Sequence, residues 1–249
     1  VARLVDLLAA ELLKLKRSKM LLLSVIGAGL APFMVVLAFY LNRSSADPSG
    51  EQAVFETLFY NTSMYTALLV GVPLYSLVAA HLFLREYTED TLKNLLTIPV
   101  SRAGLMISKM VLLLAWIVLL SLTAWVFTIL FGLLGSFDGL SGVLILDYLI
   151  RFAAQGFLLW SLTTPVILVT IVMKNYVPPM IAAISITMLN VLVFNSDYRG
   201  LVPWTAAFDV VHRSLLPVYP AELSYLLIAG VSLAGFAGVL IYFGKADIH

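Results

Sequence analysis

From Met20 to Tyr40, and again from Met64 to Leu84, the chain carries no charged side chain. About 20 apolar residues in a helix rise about 30 Å, which is the thickness of a bilayer's hydrocarbon layer. Inside that layer the backbone must satisfy its own hydrogen bonds, which a helix does. Both runs are therefore read as membrane-spanning helices, and each holds one proline, Pro32 and Pro73, of a kind that protein-buried membrane helices tolerate.

Four more apolar runs follow. Leu105–Leu134 is broken only by Lys109, and the others are Phe152–Met173, Tyr176–Phe194 and Leu223–Phe243. The run containing the fourth starts earlier, at Val143, too long for one untilted span, and Asp147 and Arg151 near its start stand four apart as an interfacial ion pair would. Pro178 and Pro179 open the fifth, where missing amide hydrogens matter least. The composition agrees, with 61% hydrophobic residues, 12% charged and a mean hydropathy of +1.02. The expected fold is an all-α integral membrane protein, a single domain over 1–249, with six transmembrane helices at about 20–41, 64–84, 105–134, 152–173, 176–194 and 223–243.

Six spans place both termini on one side of the membrane. Arg3, Lys14, Lys16, Arg17, Lys19, Arg85, Lys93, Arg102, Lys109, Lys174 and Lys245 fall on that side, against Arg43, Arg151, Arg199 and Arg213 on the other. This bias makes the terminal side cytoplasmic. Residues 1–19 read as an amphipathic interfacial helix, with Leu4, Leu8, Leu12 and Leu15 at helical spacing and no signal-peptide core. The outer segment 195–222 holds Trp204, Phe208, Val211 and Leu215 on one helical face, as expected of a short helix dipping into or lying on the outer leaflet.

Chemistry is sparse. There is no cysteine, and His81, His212 and His249 are too scattered for a metal site. The string GVLIYFGK, Gly238–Lys245, has the wrong spacing for a phosphate-binding loop and lies in an apolar helix. The basic residues are juxtamembrane and form no nucleic-acid patch. Gln155 and Asn190 are the polar residues within spans that could line a substrate path, although helix-to-helix hydrogen bonding is the commoner use of such groups. The acids Glu86, Asp147 and Glu222 fall at span ends, which argues against an ion-coupled carrier. Gly27 with Ala31, and Gly230, Ala234 and Gly238, repeat every four residues as close helix packing requires, either within one chain or between two.

The sizeable cytoplasmic loop is 85–102, REYTEDTLKNLLTIPVSR. Glu89 and Lys93 stand in the favourable i, i+4 order, Leu92, Leu95 and Leu96 give an apolar side, and Pro99 ends the helix before Ser101 caps the next. A short amphipathic helix there can rest on the bilayer or dock into a cytoplasmic partner. An ATP-independent secondary carrier and a non-transporting scaffold stay open as alternatives to a partner-driven transporter.

The loop resembles that of ABC-2 type permeases at Glu86, Thr91, Leu92, Leu95, Leu96, Pro99, Ser101 and Arg102, and departs from it at Asp90, where the family commonly has glycine. The resemblance implies a non-catalytic permease subunit in a bacterial plasma membrane. It implies a second permease chain, the same or different, and two separate ABC ATPase subunits that bind ATP and Mg, with no cofactor on this chain. Residues 85–102 would then hold a coupling helix seated in the ATPase, with Glu86, Glu89, Asp90 and Lys93 making polar contacts and the leucines apolar ones. Compact outer loops resemble the bacitracin-resistance and lantibiotic-immunity permeases, which implies export of an amphipathic compound such as a peptide antibiotic.

Overall fold

The structure is a computed structural model and describes residues 8–9, 11–13, 18–43, 54–88 and 102–245. Among these residues it is all-helical. Most of the expected coupling loop, residues 89–101, and most of the N-terminal segment lie outside the described residues.

The first long helix is two pieces, α1 (Lys19–Ala28) and α2 (Leu30–Arg43). Ser18 caps α1 by accepting from the Met20 amide at 3.1 Å. The break at Gly29 puts Pro32 in the first turn of α2, where its missing N–H leaves no ladder bond unmade. The return helix is α3 (Phe55–Tyr65), a π-helical turn Thr66–Val70 and α4 (Gly71–Thr88). Here Pro73 sits just past the wide turn, which takes up the missing bond. Gly71 donates to Thr66 O across that turn, and a Cβ at Gly71 would lie 2.4 Å from the same oxygen, so only glycine closes it.

The unbroken helix α5 (Arg102–Leu134) is followed by α6 (Gly142–Leu162) and α7 (Thr164–Met173), which meet at Thr163 beside Pro165. Then come α8 (Val177–Val193), a short 3-10 turn (Arg199–Leu201), α9 (Pro203–His212) and α10 (Ala221–Lys245). The apolar run Met64–Leu84 thus lies within a longer helical stretch starting at Phe55, and Phe152–Met173 within one starting at Gly142. Hydropathy marks where the lipid must be, whereas the helix continues for as long as its backbone is paired.

Five of these stretches, Lys19–Leu41, Phe55–Arg85, Ala103–Leu134, Gly142–Met173 and Ala221–Gly244, are long and apolar enough to cross a membrane. The fifth expected span corresponds to α8, whose 17 residues would rise about 26 Å, the short end of what a bilayer needs.

The main core joins α1, α4, α5, α7 and α10 through Ala28, Val78, Leu82, Phe83, Leu113, Trp116, Ile117, Ile167 and Phe243. A second, aromatic core lies at the other end, where Phe55, Phe59, Tyr148 and Phe152 pack between α3 and α6. Buried indole and hydroxyl groups link neighbouring helices: Trp116 Nε1 donates to Ser24 Oγ at 3.1 Å and Trp160 Nε1 to Met110 O at 3.1 Å.

The segment holding α9 is turned onto the protein. Phe208 is fully buried against Ala67 and Leu68 of the π turn, and Ala206 and Ala207 pack on Leu162 and Ile228. The helix stops at His212 because Arg213 takes a left-handed conformation (φ 54°), so Leu215 is beyond the helical face expected for it.

Candidate functional site

Gln155 lies on α6 and is buried. Its Nε2 donates to Ser63 O at 2.9 Å, and its Oε1 accepts from the Ser63 hydroxyl. Ser63 Oγ is also 2.8 Å from His212 Nε2, and His212 Nδ1 is 3.2 Å from Arg151 Nη1. An arginine can only donate, so Nδ1 accepts and Nε2–H donates to Ser63. The chain of hydrogen bonds therefore has one direction, from Arg151 through His212 and Ser63 to Gln155, and it requires a neutral imidazole. Burial, reinforced by the Arg151 cation, pushes the His212 pKa down to about 4 although Asp147 opposes the shift.

Arg151 is anchored in turn. Its Nε is 2.8 Å from Asp147 Oδ2, the i, i+4 pair expected at this interface, and its guanidinium lies 5.1 Å from the Tyr148 ring centre. The network ties α3, α6 and α9 together at the end of the bundle opposite the one where α4 stops and α5 begins. A second network holds the segment leading into α10. Arg199 makes a two-pronged ion pair with buried Asp209, through Nε to Oδ2 at 2.9 Å and Nη2 to Oδ1 at 2.8 Å. Ser214 Oγ donates to the same carboxylate at 2.7 Å. Burial nevertheless pushes the Asp209 carboxyl above its usual range, with these bonds acting against the shift.

Asn190 is placed differently. It is fully buried on α8, and among the described residues neither its side-chain nitrogen nor its oxygen has a hydrogen-bond partner. The two polar residues expected on a substrate path are thus not equivalent: the Gln155 amide is committed to Ser63, while the Asn190 amide keeps its capacity.

The small residues divide as well. Gly27 packs against Leu74 and Ala31 is fully buried. On α10, Gly238 meets Leu168, but Gly230 and Ala234 are exposed. The close approach there belongs to Gly235, where a Cβ would meet Thr164 Oγ1 at 2.5 Å and Pro165 N at 2.6 Å. Thr164 Oγ1 in turn donates to Ser232 O at 3.0 Å. Within this chain the closest approach on α10 is therefore at Gly235, while the Gly230 and Ala234 part of the stripe faces away from the described helices.

Of the expected coupling residues, Glu89, Asp90, Thr91, Leu92, Lys93, Leu95, Leu96 and Pro99 lie outside the described residues. Glu86 falls within α4 and Arg102 opens α5, but only their backbone is described. At the root of the loop stands a group that charge counting placed on the cytoplasmic side without singling it out. Lys109 of α5 is fully buried, donates to Leu82 O at 2.9 Å, and lies 3.6 Å from Glu11 Oε2, itself buried.

No group of three or more His, Asp or Glu side chains among the described residues is arranged to hold a metal ion. The arrangement is that of a helical bundle with a polar latch at one end and a charged clamp at the other. The family model for the ABC-2 family transporter protein matches residues 7–190. The bacitracin transport permease protein BCRB of Bacillus licheniformis is 47% identical over 195 residues, which cover 78% of this chain and 94% of that protein. The chain belongs to the ABC-2 family of transporter proteins.

Proposed function

We propose that this chain is the transmembrane permease subunit of an ATP-binding-cassette exporter that moves bacitracin or a similar amphipathic peptide out of a bacterial membrane or cell. The likeness to a bacitracin transport permease over nearly that protein's whole length carries the reading. ATP and Mg bind to two separate ATPase subunits, and a second permease chain completes the path. In this reading α8 counts as the fifth of six spans and both termini are cytoplasmic, in keeping with the basic residues on that side. The segment 85–102 seats in the ATPase as the coupling helix. Asn190 is the better candidate than Gln155 for the substrate path, because a buried amide with unused donors and acceptors can bond a passing peptide.

Affinity purification from cells that also express an ABC ATPase tests the reading. The expected result is co-purification with the ATPase, no ATP hydrolysis by the chain alone, and bacitracin tolerance that needs both proteins. Bacitracin flux by the lone chain in liposomes, driven by an ion gradient, would overturn it.

A further inference from the structure

The Lys109 ammonium is enclosed by three stretches of chain, two of which flank the expected coupling segment in sequence. Its own helix, α5, emerges from that segment at Arg102, and the carbonyl that accepts from it, Leu82 O at 2.9 Å, belongs to the last turns of α4, which lead into the segment. Its carboxylate neighbour, Glu11 at 3.6 Å, belongs to the helical residues before α1. The Phe83 ring is 6.0 Å from the same ammonium. A second tie lies alongside, since Ser18 Oγ, the cap of α1, is 3.2 Å from Nε2 of His81, the residue before Leu82 on α4.

Burying an ammonium and a carboxylate costs desolvation that their attraction hardly more than offsets, and apolar residues of similar volume commonly hold such a site as well or better. What the pair adds is geometry. A salt bridge and a directed bond to one particular carbonyl fix how three segments sit relative to each other, whereas leucines and methionines would let them slide. We propose that Lys109 is a positioning residue that locks both ends of the coupling segment and the N-terminal helix into one rigid body, so that a push delivered to residues 85–102 moves α1, α4 and α5 together. This rests on the reading of 85–102 as the coupling segment.

The test uses the apolar pair Glu11→Leu with Lys109→Met, which removes both charges of the buried pair together. In proteoliposomes containing the permease and its ATPase, the variant is expected to keep a native melting temperature, native ATPase association and native ATP hydrolysis, yet to lose about tenfold in bacitracin efflux, the size of an ordinary coupling between two sites. A second measurement needs neither ATPase nor bacitracin. The chain has no cysteine, so spin labels can be placed at Leu13→Cys and Ile107→Cys, both exposed positions flanking the clamp. Their distance distribution should be narrow in the otherwise native chain and broad in the apolar pair. Undiminished efflux or an unchanged distribution overturns the proposal. Leu95→Asp serves as the control: if it exports normally, the coupling reading falls and this inference with it. If Leu95→Asp fails while the apolar pair exports normally, this inference alone falls.

Discussion

At His212 one imidazole is held between a donor that cannot accept, Arg151, and a hydroxyl that passes the bond on to Gln155. Its pKa is pushed down from 6.5 to about 4, so between those values the unfolded chain binds the extra proton and the folded chain does not. Stability therefore falls as pH drops from about 6.5 towards 4, by at most about 3 kcal/mol and less because the ring is partly exposed. Asp209, shifted upward, acts in the opposite sense at the acidic end. The measurement is thus a difference: melting temperature against pH for the native chain and for His212→Gln, with the steeper acid loss expected in the native chain. Gln155 and Asn190 give a second contrast. Replacing Gln155 by Leu removes two buried hydrogen bonds to Ser63 and leaves the Ser63 hydroxyl proton without its acceptor, which should cost about 1–3 kcal/mol, whereas Asn190→Leu removes an amide that has no partner among the described residues and should leave stability unchanged or raised. Equal losses in thermal denaturation would contradict this assignment.

At the scale of elements, α7 and α10 meet where Gly235 lets Thr164 and Pro165 approach the backbone. Gly235→Leu should therefore lower the yield of folded protein and the melting temperature sharply, while Gly230→Leu, with nothing within 4 Å of its Cβ position, should leave both near native. Size-exclusion profiles and thermal melts of the two variants decide it. The sequence spacing that picked out Gly230 and Ala234 was sound as a pattern of small residues, but α10 is apolar on all sides, so periodicity could not say which face meets protein and which meets lipid. The spans themselves were legible because a charge-free run is long-range information written locally, and the Asp147–Arg151 pair was legible because four residues make one helical turn. What stayed hidden depended on partners distant in sequence. Lys109 counted as one more cytoplasmic charge until the fold set Leu82 and Glu11 beside it, and His212 gave no sign of Ser63, far away on another helix. Pro73 announced a disturbance, but not that a π turn closed by Gly71 would absorb it.

Across the whole molecule, the two ends of the bundle are built differently. One carries a directed chain of hydrogen bonds from the Arg151 cation through a neutral His212 that fastens α9 to α3 and α6, and the other carries the fully buried Lys109 beside Glu11 at the root of the segment expected to receive the ATPase. Between them the helices meet mainly through apolar side chains and short hydroxyl and indole bonds, a scaffold able to pass a displacement from one end to the other as a rigid-body movement. The central claim is that ATP hydrolysed on another chain drives transport through residues 85–102. The most direct measurement is ATP-dependent bacitracin efflux from proteoliposomes holding the ATPase with either the native permease or its Glu89→Lys, Leu95→Asp variant. The account predicts that the variant keeps its helical content by circular dichroism and loses efflux, because a reversed charge and an expected apolar contact made acidic both oppose docking. Efflux at the native rate from the variant would contradict it.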